Sequence, residues 1–292
     1  MKRKLVNQGH STMTISLPAK WIKTFNLKAG DEVEVDEKGT TLVVLPTGQQ
    51  SISKAVVNVQ GMGTLLPRVL GVLHKRGYDE IELHTEGGNQ LEVIQRTVNN
   101  VLAGYEVDNA GKNFCHIRNI ANLDPEFEPL LRRVFLLLKT SGQESYEEIC
   151  KKDFEALKSQ IATEEMNNRF TTICRRIINK QGGNTFMYCL IEQLEKIADE
   201  YRDLLKYVME GKKFPKEELN LYKDANNAVA LMYDCFYTYD NKKAIQLNEE
   251  RRRLTAEINK KFAKGDGKIL HHIQNIVDFS GNCLSFILGL RL

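Results

Sequence analysis

Three sets of residues in this sequence could do chemistry. The first is a run of cations. Residues 1 to 28 hold six Lys or Arg and no Asp or Glu, and the acids begin at Asp31 and Glu32. On a chain of net charge +3, such a segment suits contact with a phosphate backbone and equally suits a solvated basic arm. The second set is a polar pair one helical turn apart, found twice. Leu194-Glu195-Lys196-Ile197-Ala198-Asp199 and Ile273-Gln274-Asn275-Ile276-Val277-Asp278 each place two polar side chains at i and i+4 beside an apolar stripe. The third is the glycines Gly61, Gly63, Gly87 and Gly88. They form neither GxxxxGK[ST] nor GxGxxG and read as turns and helix ends. Catalysis finds little to stand on. There is no Gly-x-Ser-x-Gly and no His-Glu-x-x-His, and the carboxylates of Glu195 and Asp199 lie on a helix with no identifiable cleft. A regulatory protein is expected, not an enzyme.

The chain that must position these residues has 292 of them, 42% apolar and 27% charged, which is globular composition with room for two or three domains. No apolar run reaches 18 residues, and the most apolar stretch, residues 284 to 292, is too short to span a bilayer. The basic start Met1-Lys2-Arg3-Lys4 has no apolar signal core behind it. The six cysteines, at 115, 150, 174, 189, 235 and 283, form no CxxC or zinc-like cluster and read as reduced thiols of a cytosolic protein.

Leu5 and Val6 begin a short apolar segment, and Thr12 to Leu17 alternates polar with apolar residues as a half-buried strand does. Pro18 favours a helix start over Ala19 to Phe25, and Leu27-Lys28-Ala29-Gly30-Asp31 is a stop and turn. Val33 and Val35 alternate with acids, Gly39 marks a hairpin turn, and Thr41 to Leu45 returns as a strand. Trp21 and Phe25 are expected in the core. A unit this small, with open sheet edges, is expected to pair with a second copy.

Gly9-His10-Ser11-Thr12-Met13-Thr14-Ile15-Ser16-Leu17-Pro18-Ala19-Lys20-Trp21, followed by Leu27-Lys28-Ala29-Gly30-Asp31-Glu32-Val33, resembles the swapped-hairpin AbrB/MazE/SpoVT domain. The resemblance covers residues 1 to 46. It implies an interlocked dimeric barrel that binds double-stranded DNA. Arg3, Lys4, Lys20 and Lys23 would face DNA, with polar support from Gln8, His10, Ser11 and Thr12. His10 and Ser11 stand where many relatives carry an Arg after the glycine. Some copies of this fold serve only for dimerisation or antitoxin contact, so both roles stay open.

Residues 46 to 50 read as a linker, and 51 to 122 as a small α/β subdomain. Its strands are expected at Ile52 to Val59, Tyr78 to Leu83, Tyr105 to Val107 and Phe114 to Ile120, with a turn at Asp108-Asn109-Ala110-Gly111. Its helices are expected at Met62 to Arg76 and Leu91 to Leu102. Residues 123 to 292 then read as six helices. The first runs from Asp124 to Thr140 and is broken by Ser141-Gly142. The second spans Tyr146 to Lys180, the third Asn184 to Glu210, and the fourth starts at Pro215 and ends near Tyr239. The fifth covers Lys242 to Phe262, and the sixth follows Gly265-Asp266-Gly267 and ends near Leu290. Two sets of three suggest an internal repeat, so the whole is a multidomain α+β chain.

On the pair Glu195 and Asp199, and on Asp278 at the matching place of the sixth helix, the helical half resembles PhoU, the phosphate-uptake regulator. That family carries a Glu/Asp-x-x-x-Asp motif once per three-helix repeat, and here Gln274 replaces the second acid. The resemblance implies a role in phosphate homeostasis, through a phosphate transporter or sensor kinase as partner. It also implies a divalent or iron-type metal. Glu195, Asp199 and Asp203 would supply one position and Asp278 with His271 or Gln274 the other, with Glu164, Glu165 and Glu250 near enough to complete them. Against a metal, Lys196, Arg202 and Lys206 are placed to neutralise the same acids. His271 and His272 are adjacent and cannot share one site, so one of them is expected to be exposed. Two functions follow. In one, the hairpin dimer binds an operator and the helical half senses. In the other, the chain is a signalling adaptor and the first domain only dimerises.

Overall fold

The computed structural model describes residues 2–9, 12–46, 53–121 and 126–292. The chain divides into two compact units, Met1–Ser53 and Lys54–Leu292.

In the first unit β1 (Val6–Asn7) pairs antiparallel with β2 (Met13–Thr14), and the Gln8 N–H donates to the Thr12 carbonyl at 2.7 Å. Strand β2 is shorter than the alternation over Thr12 to Leu17 predicts. Helix α1 (Ala19–Thr24) follows Pro18, whose fixed φ suits the position before a helix. It ends where Asn26 takes φ +50°, with Leu27 N–H donating to the Ile22 carbonyl and Asn26 N–H to that of Lys23. That is a Schellman stop with Asn in the left-handed place. The Leu-x-x-Gly-Asp signature is likewise physical. Gly30 turns at φ +99°, and the Asp31 carboxylate accepts from the Lys28 N–H at 2.7 Å. β3 (Val33–Lys38) and β4 (Thr41–Pro46) form a hairpin about Gly39, with Val35 opposite Val44 and Glu37 opposite Leu42. No described residue of this unit is buried. Leu5, Val6, Met13, Ile15, Val35 and Leu42 are all more than half exposed. Trp21 and Phe25, expected in the core, are half-buried against one another at 5.1 Å between ring centres.

In the second unit a four-stranded sheet runs β5 (Lys54–Asn58), β6 (Glu80–His84), β8 (Phe114–Asn119), β7 (Tyr105–Gly111), with β5 and β6 parallel and the other pairs antiparallel. α2 (Leu66–Lys75) and α3 (Asn89–Val101) share a core with alternate strand residues, among them Ala55, Ile81, Leu83, Cys115 and Ile117, and with Val59 just past β5. The intervening strand residues turn the other way. The expected turn at residues 108 to 111 lies inside β7. The chain reverses at Lys112 and Asn113, and a bulge between Val107 and Asn109 absorbs the extra residue.

Six helices follow: α4 (Phe127–Lys151), α5 (Phe154–Lys180), α6 (Thr185–Met209), α7 (Lys216–Tyr237), α8 (Asn241–Lys261) and α9 (Gly267–Gly289). Asp153, Asn184, Asp240 and Asp266 cap the helices that follow them. Each consecutive trio packs on itself, and the trios meet through α6 against α9 and α4 against α7. One boundary differs from expectation. Ser141-Gly142 does not break a helix, and the break comes at Lys152, in the left-handed region at φ +58°. Gly142 is there for packing. A Cβ on it would lie 2.6 Å from the Tyr201 hydroxyl, and its carbonyl accepts from Asn226 Nδ2 at 2.6 Å.

Arg176 of α5 joins the sheet to the helices. It is 5% exposed, donates to the carbonyls of His74 and Tyr78 at 3.3 and 3.1 Å, pairs with Asp79, and lies over the Tyr105 ring. Lys180 also pairs with Asp79, and Asn179 donates to the Lys75 carbonyl. Four directed contacts on so buried a cation bind residues 54–121 to the helical half as one unit.

Candidate functional site

The four cations singled out in the first unit, Arg3, Lys4, Lys20 and Lys23, are exposed. Lys20 and Lys23 lie three apart on α1 and so share a face, and both are exposed. The apolar Trp21, Ile22 and Phe25 are half-buried on the same short helix. Arg3 and Lys4 precede β1 and are exposed, as are Gln8 and Thr12, whose backbones bracket the loop that turns at Gly9. His10 and Ser11 lie outside the described residues. Among the described residues none of Arg3, Lys4, Lys20 and Lys23 forms an ion pair. Exposed, unpaired cations can meet phosphate oxygens without first giving up a partner, and such contacts supply affinity rather than sequence choice. The acids nearest in sequence occupy other work or another element. Asp31 closes its own turn, and Glu34, Asp36 and Glu37 belong to the β3–β4 hairpin.

In the helical half the acids proposed as metal ligands from the sequence, Glu165 excepted, face polar or cationic partners of their own chain. Glu195 pairs with Arg175 of α5 and accepts from Thr171 Oγ1 at 3.0 Å. Arg175 is 1% exposed and also pairs with Glu192. Arg202 holds three acids at once: Glu164 and Asp199 at 2.7 Å and Asp203 at 2.8 Å. Burial raises the Glu164 carboxyl above its ordinary value, with the neighbouring Asp199 adding to the rise. Hydrogen bonds from Arg202 lower that of Asp203. The same guanidinium therefore serves one carboxylate that resists ionisation and one that welcomes it. In α9, Asp278 pairs with Arg251 at 3.1 Å and accepts from Gln274 Nε2 at 2.9 Å. His271 is exposed and contacts Asn275, whereas His272 is buried with Nδ1 2.6 Å from Glu200 Oε2. Glu165 is exposed, and Glu250 pairs with Arg253 at 2.7 Å. Among the described residues no three His, Cys, Asp or Glu side chains surround a common point. Of the cations expected to neutralise these acids, Arg202 does so, while Lys196 lies over the Phe279 ring.

Sequence reasoning passed over Arg175, Arg176 and the Glu200–His272 pair. Their signal was present. Two arginines sit between Cys174 and Ile177 of an apolar stripe, where an unpaired charge could not be buried. The glycine loops do read as turns. Gly61, Gly63, Gly87 and Gly88 all have positive φ, and the Gly61 N–H is taken by the Glu86 carboxylate at 2.6 Å.

No described helix is long and apolar enough to cross a membrane. No curated protein and no solved structure matches the chain. The family description "Antidote-toxin recognition MazE, bacterial antitoxin" matches residues 6–51, the segment holding the strand pair, α1 and the β3–β4 hairpin. The N-terminal unit is thus similar to a MazE/AbrB-type domain, a kind that suggests DNA-binding or antitoxin-type regulation, and the match ends before the sheet and the helices begin.

Proposed function

We propose that this chain is a non-enzymatic, DNA-binding transcriptional regulator whose first unit forms an interlocked swapped-hairpin dimer and whose helical half senses or docks. The observation that carries the reading is the unpaired cation set Arg3, Lys4, Lys20 and Lys23 on a unit that matches the MazE/AbrB type and buries none of its own described side chains. A second copy would cover Val35, Leu42 and their neighbours and bring two cation sets to one surface.

The finer part of the proposal is that the helical half is PhoU-like, built from two three-helix repeats, and that the process regulated is phosphate uptake. Its support is the sequence resemblance at Glu195, Asp199 and Asp278, together with the mirrored packing of α4–α6 and α7–α9. In this reading the helical acids serve mainly to seat arginines. Metal at Glu195, Asp199, Asp203 or Asp278 would have to displace Arg175, Arg202 or Arg251, and at Gln274 or His271 it would compete with the contacts to Asp278 and Asn275.

The second reading is favoured by the wording of the family match, which names recognition of a toxin. There the first unit dimerises and the chain acts by docking on another protein, such as a transporter or sensor kinase. Selection from random duplex DNA at low salt, repeated at about 0.15 M salt, separates the two. An enriched palindrome that survives the higher salt supports the regulator. Weak, unselective binding that vanishes supports the docking protein. In the regulator, Lys20→Ala with Lys23→Ala lowers affinity across all sequences while the dimer persists. The salt dependence flattens by about one unit of slope for each phosphate that is no longer neutralised.

A further inference from the structure

The corner where α7 begins and α8 ends holds a cavity of about 720 Å³ that neither the DNA-binding surface nor the acids of α6 use. That volume lies within the roughly 300–1,000 Å³ of small-molecule sites. Its lysines come from two places in the fold. Lys216 opens α7, while Lys260 and Lys261 end α8 and Lys264 follows in the turn toward α9. Four acids line the cavity as well, and each already has work inside the fold. Glu217 pairs with Lys261, and Glu257 pairs with Arg253 at 3.0 Å. Asp266 caps α9 by accepting from the Lys268 and Ile269 N–H groups at 3.0 and 3.2 Å. Glu218 is 2% exposed, and its Oε1 accepts from the Asp266 N–H at 2.8 Å. That leaves Lys216, Lys260 and Lys264 exposed and with no ion pair among the described residues.

Two further groups in the wall want an acceptor. α7 starts after Pro215 with no side-chain cap, so the N–H groups of its first turn lack the carboxylate that Asp266 gives α9. Glu218 Oε2 is buried with no hydrogen-bond partner. Burial raises this carboxyl above its ordinary value. With Oε1 taken as acceptor, a proton on Oε2 makes the orphan atom a donor. Lysines without acids, uncapped amides and a buried carboxyl proton are all satisfied by an oxygen-rich anion.

We propose that this cavity binds a small molecule with two or more linked phosphoryl groups, held by Lys216, Lys260, Lys264 and the α7 N-terminus, with Glu218 as an uncharged donor. Three separate cations around a space of small-molecule size suit a chain of phosphoryl groups better than a single one. The site lies wholly in the second unit, so it does not depend on reading the first as a DNA-binding dimer.

The test is calorimetric titration of the full chain at about 0.15 M salt, with inorganic tripolyphosphate and ATP as probes. Each binds saturably at one site per chain. Equal affinities support a site that reads the phosphoryl chain alone, and tighter binding of ATP supports one that also takes a nucleoside. Lys260→Ala with Lys264→Ala weakens both probes by about 10-fold or more. Glu218→Gln, whose amide nitrogen donates in place of the carboxyl, keeps the affinity within about threefold. Lys20→Ala with Lys23→Ala removes as much charge from the first unit and leaves binding unchanged, which separates a built site from general attraction of polyanions to cations. Absence of saturable binding overturns the proposal. So does binding that survives the loss of Lys260 and Lys264, that disappears in Glu218→Gln with circular dichroism intact, or that follows the loss of Lys20 and Lys23 instead.

Discussion

The two units of this chain treat charge in opposite ways. In the N-terminal unit, Arg3, Lys4, Lys20 and Lys23 stand in solvent and form no ion pair among the described residues, on a framework in which no described residue is buried. In the helical half, Arg175 and Arg176 are buried outright, and Arg202 gathers three carboxylates. The contrast teaches that a cation's role follows from its partners more than from its type. An unpaired arginine or lysine is available to a ligand. A buried one has already committed its interactions to offsetting desolvation and fixing geometry, and contributes position rather than recognition.

The largest effect should come from breaking the helical side of that comparison. Arg175→Ala removes a fully buried guanidinium and leaves Glu192 and Glu195 facing the gap, so unfolding free energy in urea should fall by about 3–5 kcal/mol. Lys20→Ala, removing a cation of the other kind, should fall within about 0.5 kcal/mol of the parent in the same assay. A drop of less than about 1 kcal/mol for Arg175→Ala would erase the distinction between the two classes of cation.

The next effect concerns what covers the first unit. Val33, Val35, Leu42 and Val44 share one face of the β3–β4 hairpin by register, with Val35 55% and Leu42 66% exposed. Covering a side chain of this size is worth about 1.5–3 kcal/mol. Leu42→Asp should therefore weaken self-association strongly, seen as a shift to monomer mass in sedimentation at micromolar concentration. The helical circular dichroism should be unchanged, since Leu42 lies outside the second unit. A dimer that persists at unchanged affinity would place the interface elsewhere.

Gly142→Ala sharpens the comparison at a smaller scale. On an exposed helix the change would stabilise by up to about 1 kcal/mol. Here the new methyl would meet the Tyr201 hydroxyl at 2.6 Å and Asn226 Cγ at 3.0 Å, so a net destabilisation of about 1–3 kcal/mol in thermal or urea unfolding is expected. Gain of stability would mean that α6 and α7 can yield at this crossing. The same glycine shows where sequence stops being legible. Ser141-Gly142 reads as a helix break because small residues interrupt an apolar stripe, yet the need it meets is a tertiary one, contributed by residues 59 and 84 positions away. The real break, at Lys152, carries no Gly or Pro to mark it. Caps, by contrast, were readable. Asn184 and the 265–267 turn stand where local chemistry puts them. So was the Leu27-to-Asp31 turn, since Gly30 and Asp31 act on their own neighbours. The basic residues of the first unit were legible as a set because they answer to solvent. The helical acids were legible as a face, but their arginine partners come from other turns and helices, and spacing along one helix does not reveal them.

The smallest effect is one of pH. Glu164 sits 7% exposed, and burial raises its carboxyl above the ordinary 4.5 despite Arg202. The folded state then holds the proton more tightly than the unfolded chain. Stability should fall as pH rises from about the ordinary glutamate value through the raised folded value. Asp203 works in the opposite direction. Its carboxyl is lowered by Arg202, so its contribution is present above the ordinary aspartate range and is lost as pH falls through the depressed value. Glu164→Gln keeps the side chain's size and removes only the first of these. Its unfolding free energy, measured at intervals from about pH 4 to about pH 7, should decline less on the way up than that of the parent, and the acid limb set by Asp203 should remain. If the two pH profiles run parallel, Glu164 is ionised in the folded protein without penalty. Arg202 would then be balancing Glu164, Asp199 and Asp203 as equals, and the acidic face of α6 would be closer to an open carboxylate cluster than to a seat for one arginine.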